Sequence, residues 1–153
     1  MILESIRIGL IGVGQRGMKT LERYAFIRHA QVCAVADLHE ERLTMANNLL
    51  KEQGREAAKE YSGKHAWKKI CEAKDINLIY ICTDWSSHTQ MAVYAMQQGK
   101  DVAVEVPAAT TVEECWQLVD TAEHTGRHCF MTENCCYDRF ALATLEMKRR
   151  GLF

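Results

Sequence analysis

The 153-residue sequence predicts an α/β fold with a doubly wound parallel sheet. Two observations predict it. Short apolar runs rich in β-branched residues alternate, from one end of the chain to the other, with amphipathic stretches of helical spacing. The first of those runs stops at a cluster of glycines that opens a helix. Strands separated by helices of this length need right-handed crossovers, which lay the strands parallel and put helices on both faces.

In chain order, Ser5–Ile11 is the first strand, and the helix after it carries Met18, Leu21 and Ala25 on one face. Gln31–Ala36 is a second buried strand, followed by a helix from Glu40 to Lys51 that turns Leu43, Ala46 and Leu50 inward. Gln53–Tyr61 is polar and reads as the frayed end of that helix. Gly63–Ala66 is then a short strand and Trp67–Ala73 a short helix. Ile76–Cys82 is almost wholly apolar, as a strand covered on both faces must be. Ser87–Gln98 is a helix capped by Ser86 or Ser87 and stopped by Gly99, and Asp101–Val104 is the next strand. Thr111 and Glu114 have capping-box spacing, with Cys115, Leu118, Val119 and Ala122 forming an inward stripe up to Gly126. His128–Met131 is the last strand, and Tyr137–Arg150 the last helix, ending at Gly151.

Composition narrows the function. The 48% hydrophobic and 25% charged shares are those of an ordinary globular domain. A net charge of -1 leaves no electrostatic footprint for nucleic acid. No window has the roughly 18 consecutive apolar residues of a membrane span. The first residues run straight into a strand without the pattern of a secretory signal, so the sequence as it stands reads as cytoplasmic; export of the folded protein is the alternative if a leader was removed. The seven cysteines are odd in number and none has C-x-x-C spacing, so they read as free buried thiols in a reducing compartment, and no metal is expected. With one proline, Pro107, and no Ser/Gly-rich stretch, residues 1–153 form one domain. The apolar pair Leu152–Phe153 after a helix-stopping glycine suggests a cut where a second domain would begin.

The glycine cluster is Gly12-Val13-Gly14-Gln15-Arg16-Gly17, or G-x-G-x-x-G, between a strand and a helix. In that context it is the phosphate-binding fingerprint of a Rossmann dinucleotide-binding fold. Gly12 makes the tight turn, Gly14 admits the pyrophosphate to the backbone and Gly17 lets helix and strand pack closely. The helix N-terminus offers unpaired N–H groups to the anion, and Gln15 and Arg16 sit at the loop tip within reach of phosphate or ribose. Asp37 closes the second strand twenty residues beyond Gly17. A carboxylate there accepts from the adenosine ribose hydroxyls and repels a 2′-phosphate, which selects NAD over NADP. Three further segments fall at the carboxyl ends of strands. Thr83 through His88 brings Trp85 beside the cofactor, with His88 in the first turn of the next helix as a contact or a packing residue. Glu105 precedes Val106-Pro107, where it can bond the nicotinamide ribose, and Asn134 follows the last strand as a partner for the carboxamide or ribose, or a plain turn residue.

Together these residues resemble the glucose-fructose oxidoreductase/inositol dehydrogenase/MocA family, in which an NAD(P)-binding Rossmann domain precedes an α+β substrate domain. The general family has Glu-Lys-Pro where this chain has Glu105-Val106-Pro107, and valine has no acid–base chemistry. The stretches ICTDWSSHTQMAVYAMQQGKDVAVEVPAATTVEECWQLVDTAEHTGRHC and MTENCCYDRF resemble glycoside hydrolase family 109, bacterial NAD-dependent α-N-acetylgalactosaminidases that have Glu-Val-Pro. The resemblance implies cofactor contacts at Gln15, Arg16, Asp37, Trp85, Ser86, Ser87, His88, Glu105, Val106 and Asn134, with Tyr137 near the substrate side. It also implies a mechanism: transient oxidation of the sugar at C3, elimination of the aglycone, addition of water and re-reduction, with no net redox change. A sugar or glycoside substrate would then meet a second domain absent from this chain, and the chain alone would be inactive. The missing half would leave apolar surface open to homo-oligomer formation. The alternatives are an NAD-dependent sugar or polyol dehydrogenase of the same family and a non-catalytic dinucleotide-binding module.

Overall fold

The computed structural model describes residues 5–24 and 26–153. Ala25, expected on the inner face of the first helix, and residues 1–4, read for a signal pattern, lie outside them. The element order is β1 (Ile6–Ile11), α1 (Gln15–Tyr24), β2 (Ala30–Asp37), α2 (Glu40–Glu52), β3 (Lys59–Ser62), α3 (Ala66–Cys71), β4 (Leu78–Ile81), α4 (Trp85–Gln97), β5 (Asp101–Val104), α5 (Val112–Thr125), β6 (Cys129–Met131) and α6 (Arg139–Arg149). A turn of 3₁₀ helix, Cys135–Tyr137, precedes α6.

The six strands form one sheet in the order β3-β2-β1-β4-β5-β6, and every pairing is parallel. Alternation along the central strands sorts the core into two layers. Ile8 and Leu10 of β1 meet Leu21 of α1 and Leu43, Ala46 and Leu50 of α2 on one face. Ile11 of β1 and Ile79 and Ile81 of β4 meet Ile70 of α3, Ala92 and Met96 of α4 and Leu118 of α5 on the other. The chain winds outward from β1 in one direction and from β4 in the other, so the order reverses between these two strands. β1 and β4 stay paired to their carboxyl ends, and the connections after them leave in opposite directions and open a crevice.

Several boundaries differ from the sequence reading. The third strand is Lys59–Ser62, not Gly63–Ala66, and all of it but Ser62 falls in the stretch read as frayed helix. Helix α2 stops at Glu52, the chain turns at Gly54, and Ala34 through Asp37 pair with Lys59 through Ser62. β3 is a sheet edge, so it carries Lys59 and Glu60 exposed, a composition that blunts edge pairing and hides the strand from a hydrophobic pattern. Helix α4 begins two residues early, and Asp84, rather than Ser86 or Ser87, occupies its cap position. The α5 stripe narrows to Leu118 and half-buried Ala122, while Cys115 and Val119 are exposed, because α5 lies mainly against α4 and only the short β6 of the sheet. The capping box of α5 forms, with Glu114 N–H donating to Thr111 Oγ1 at 3.1 Å. All seven cysteines are free; Cys71 is buried, but Cys115, Cys135 and Cys136 are exposed, against the expectation of uniformly buried thiols. No described helix is long and apolar enough to cross a membrane.

Candidate functional site

The turn after β1 is built by three glycines with different tasks. Gly12 has a positive φ of 86°, and a Cβ on it would sit 2.6 Å from the Cys82 carbonyl oxygen. A Cβ on Gly17 would fall inside contact distance of the Gly12 carbonyl oxygen, so α1 packs on its own entry loop only without a side chain there. Gly14 is different. Its φ is not left-handed, and the nearest atom to a Cβ would be Arg42 Nη1 at 3.6 Å, an ordinary contact. Neither backbone nor packing requires glycine at that position. The space over it opens into the crevice, and the missing side chain suits a ligand that lies against the backbone. Helix α1 makes its first turn bond from Met18 N–H to the Gly14 carbonyl at 2.9 Å. The N–H groups of Gln15, Arg16 and Gly17 precede that bond and form the donor set that holds an anion at a helix N-terminus.

Asp37 ends β2, its side chain only 6% exposed. Its Oδ2 accepts from Val13 N–H at 2.9 Å, and its Oδ1 accepts from His39 N–H at 3.0 Å. One carboxylate therefore fixes the glycine turn against the end of β2 while facing the groove. Arg42 Nη1 lies 3.7 Å from Oδ1, between Asp37 and Gly14. The groove itself is about 630 Å³, bounded by Gly12, Gly14 and Asp37 on one side and Thr83 and Ser87 on the other. Lys64, His65 and Trp67, from the segment after β3, close its outer end. Arg42 and this basic rim escaped the sequence reading: Arg42 lies inside α2, five residues beyond the marked Asp37, and the rim follows β3, whose end no motif marks.

Across β4, Thr83 through His88 form a tightly bonded corner. The hydroxyls of Thr83 and Ser87 lie 2.7 Å apart, and Ser86 Oγ donates to Asp84 Oδ2 at 2.5 Å. The Ser86 bond, first among its causes, holds the Asp84 carboxyl below the usual carboxylate range. Trp85 stands 64% exposed in the first turn of α4. His88 is fully buried, with Nδ1 2.7 Å from the Pro107 carbonyl and Nε2 3.1 Å from the Thr83 carbonyl. The ring ties the end of β4 to the segment after β5, and Thr89 Oγ1 adds a second tie to the Ala108 carbonyl at 3.1 Å.

Glu105 follows β5 with its side chain 10% exposed. Its Oε1 accepts from the Tyr80 hydroxyl at 2.8 Å and forms an ion pair with Arg16, whose Nε lies 2.8 Å away. Val106 beside it is exposed and joined to Pro107 by a cis peptide bond. Asn134 is exposed three residues after β6, with its amide 3.9 Å from Cys135 Sγ. The predicted residues thus lie along one edge of the sheet, at the ends of β1, β2, β4, β5 and β6. Glu105, Val106, Asn134, Trp85 and His88 do not line the groove around Asp37 and Gly14. Glu105, Val106 and Asn134 follow β5 and β6, Trp85 stands exposed in the first turn of α4, and His88 is buried beneath that corner.

A helix N-terminus with a cleared approach, an acidic strand end beside it and a crevice at the sheet's reversal point define a dinucleotide-binding α/β domain. The family model described as "Oxidoreductase family, NAD-binding Rossmann fold" matches residues 6–133, and the chain belongs to that family; its cofactor is NAD. Among curated relatives, a glycosyl hydrolase family 109 protein of Phocaeicola vulgatus is 55% identical over 147 residues, 96% of this chain and 36% of its own length. An alpha-N-acetylgalactosaminidase of Bacteroides fragilis is 52% identical over 151 residues, 99% of this chain and 36% of its own length. The chain thus spans little more than a third of these relatives. Among solved structures, a scyllo-inositol dehydrogenase from Lactobacillus casei with bound NAD(H) and scyllo-inositol superposes with a TM-score of 0.81 at 21% identity, over 96% of this chain and 42% of that one. At that identity the likeness concerns the fold.

Proposed function

We propose that residues 1–153 are the NAD-holding domain of an NAD-dependent glycosidase acting on α-N-acetylgalactosaminides, with the sugar held by a second domain outside this chain. The observation that carries the proposal is Glu105-Val106-Pro107 at the carboxyl end of β5, in a chain 52% identical to an alpha-N-acetylgalactosaminidase. Val106 brings no proton acceptor to the place where an ordinary sugar or polyol dehydrogenase of the family needs one.

In this reading the chain's residues bind and orient. The N–H groups of Gln15, Arg16 and Gly17 take the diphosphate, with Gly14 leaving it room. Asp37 accepts from the adenosine ribose, and Arg42 beside it balances the carboxylate's charge. Thr83, Trp85, Ser86 and Ser87 border the middle of the cofactor, and Glu105, Val106 and Asn134 its nicotinamide end. His88 fixes the corner between those two segments. When bound, NAD supplies reversible oxidation at the sugar's C3, which acidifies the neighbouring C–H so that the aglycone can leave and water can add without net redox change.

The test is an assay of the natural full-length protein on a chromogenic α-N-acetylgalactosaminide with NAD present. Chromophore release without accumulating NADH is the expected result, and the 153-residue chain alone gives none. No release, or steady NADH formation from a free sugar, would reject the glycosidase in favour of the dehydrogenase.

A further inference from the structure

Glu105 is held in an uneven way. Both of its contacts, the hydrogen bond from the Tyr80 hydroxyl and the ion pair with Arg16 Nε, end on Oε1. Oε2 has no hydrogen-bond partner among the described residues and is not among the fully buried unpartnered atoms, so it keeps some exposure. Tyr80 comes from the middle of the sheet: β4 puts it on the α1 face, where its ring meets Tyr24 edge-on, centroids 5.9 Å apart. Burial pushes its hydroxyl up to about 12, so it stays a proton donor at any ordinary pH.

Resting on the reading of this groove as an NAD site, we infer that Tyr80 is a positioning residue: with Arg16 it clamps Oε1 of Glu105 and thereby presents Oε2 as the acceptor for the nicotinamide ribose. The arrangement splits the carboxylate's work. One oxygen is consumed by the protein, which fixes the rotamer, and the other is left in place for the ligand. A carboxylate free to turn would lose this orientation when the ribose arrives. Arg16 alone does not fix it, because its side chain is 42% exposed in the first turn of α1, whereas Tyr80 is anchored in a central strand.

Calorimetric titration of the protein with NAD and, separately, with ADP tests this. ADP carries the adenosine and diphosphate but no nicotinamide ribose, so it does not reach Glu105. Tyr80→Phe keeps the ring and its contact with Tyr24 and removes only the hydroxyl. It is expected to weaken NAD about five- to tenfold and to leave ADP unchanged. In a Glu105→Ala background, Tyr80→Phe is expected to have no further effect on NAD. Unchanged NAD affinity in Tyr80→Phe overturns the inference alone. So does an equal loss for both ligands, or the same loss in the Glu105→Ala background. Failure of the unaltered protein to bind either ligand overturns the NAD site and the inference with it.

Discussion

Gly14 and Gly17 lie three residues apart in one turn and tolerate a methyl group very differently. Gly17 faces the Gly12 carbonyl at a distance no side chain can occupy, so Gly17→Ala is expected to shift α1 and cost about 1–3 kcal/mol. Gly14 has room, so Gly14→Ala is expected to change stability by less than about 1 kcal/mol but to weaken NAD at least about tenfold. Urea unfolding and calorimetry on the two variants separate the structural glycine from the functional one. Asp37 serves both purposes. Asp37→Ala leaves the N–H groups of Val13 and His39 without their acceptor, and urea unfolding should register a loss of about 1–3 kcal/mol besides weaker NAD binding. Motif spacing made the glycines and Asp37 legible in the sequence. Tyr80 was not legible: within Ile76–Cys82 it reads as one more large apolar residue, and only the folded register brings its hydroxyl to Glu105, 25 positions away.

At the scale of elements, local rules and tertiary context divide the credit. The α5 capping box was readable because both partners lie within four residues. In the structure Glu114 Oε2 accepts from the Thr110 and Thr111 N–H groups at 2.7 and 3.2 Å. Those bonds, that from Thr110 first, lower the Glu114 carboxyl below its ordinary 4.5. The folded state thus binds the proton more weakly than the unfolded chain. The capping contribution is complete above the unfolded value and is lost as pH falls through the lower folded one. Glu114→Gln is expected to flatten the acid limb of stability below about pH 4.5, which urea unfolding against pH measures. Thr111→Ala should cost about 1 kcal/mol. β3 was not readable, because its place comes from pairing with β2 and its exposed edge needs polar residues, so Lys59 and Glu60 mask the alternation.

Over the whole molecule, the buried apolar residues gather under α1 to α5, and α6 stands apart. None of its residues is buried, and Phe140 is 85% exposed. The alternation of strand and helix made the doubly wound sheet legible, since both halves follow one hydrophobic rule. The exposure of α6 was not legible, because its apolar residues look like core in sequence and find none among the described residues. Phe140→Ser is therefore expected to change the stability of the 153-residue chain by less than about 0.5 kcal/mol. Ile79→Ala, at the fully buried centre of the sheet, should cost about 2–5 kcal/mol, both read from urea unfolding.

The claim on which the rest depends is that the turn after β1, with Asp37 beside it, holds a dinucleotide. Calorimetric titration of this chain with NAD and with NADP addresses it most directly. The expected result is saturable one-to-one binding of NAD, with NADP weaker because its 2′-phosphate meets the Asp37 carboxylate. No heat with either dinucleotide at millimolar concentration would contradict it.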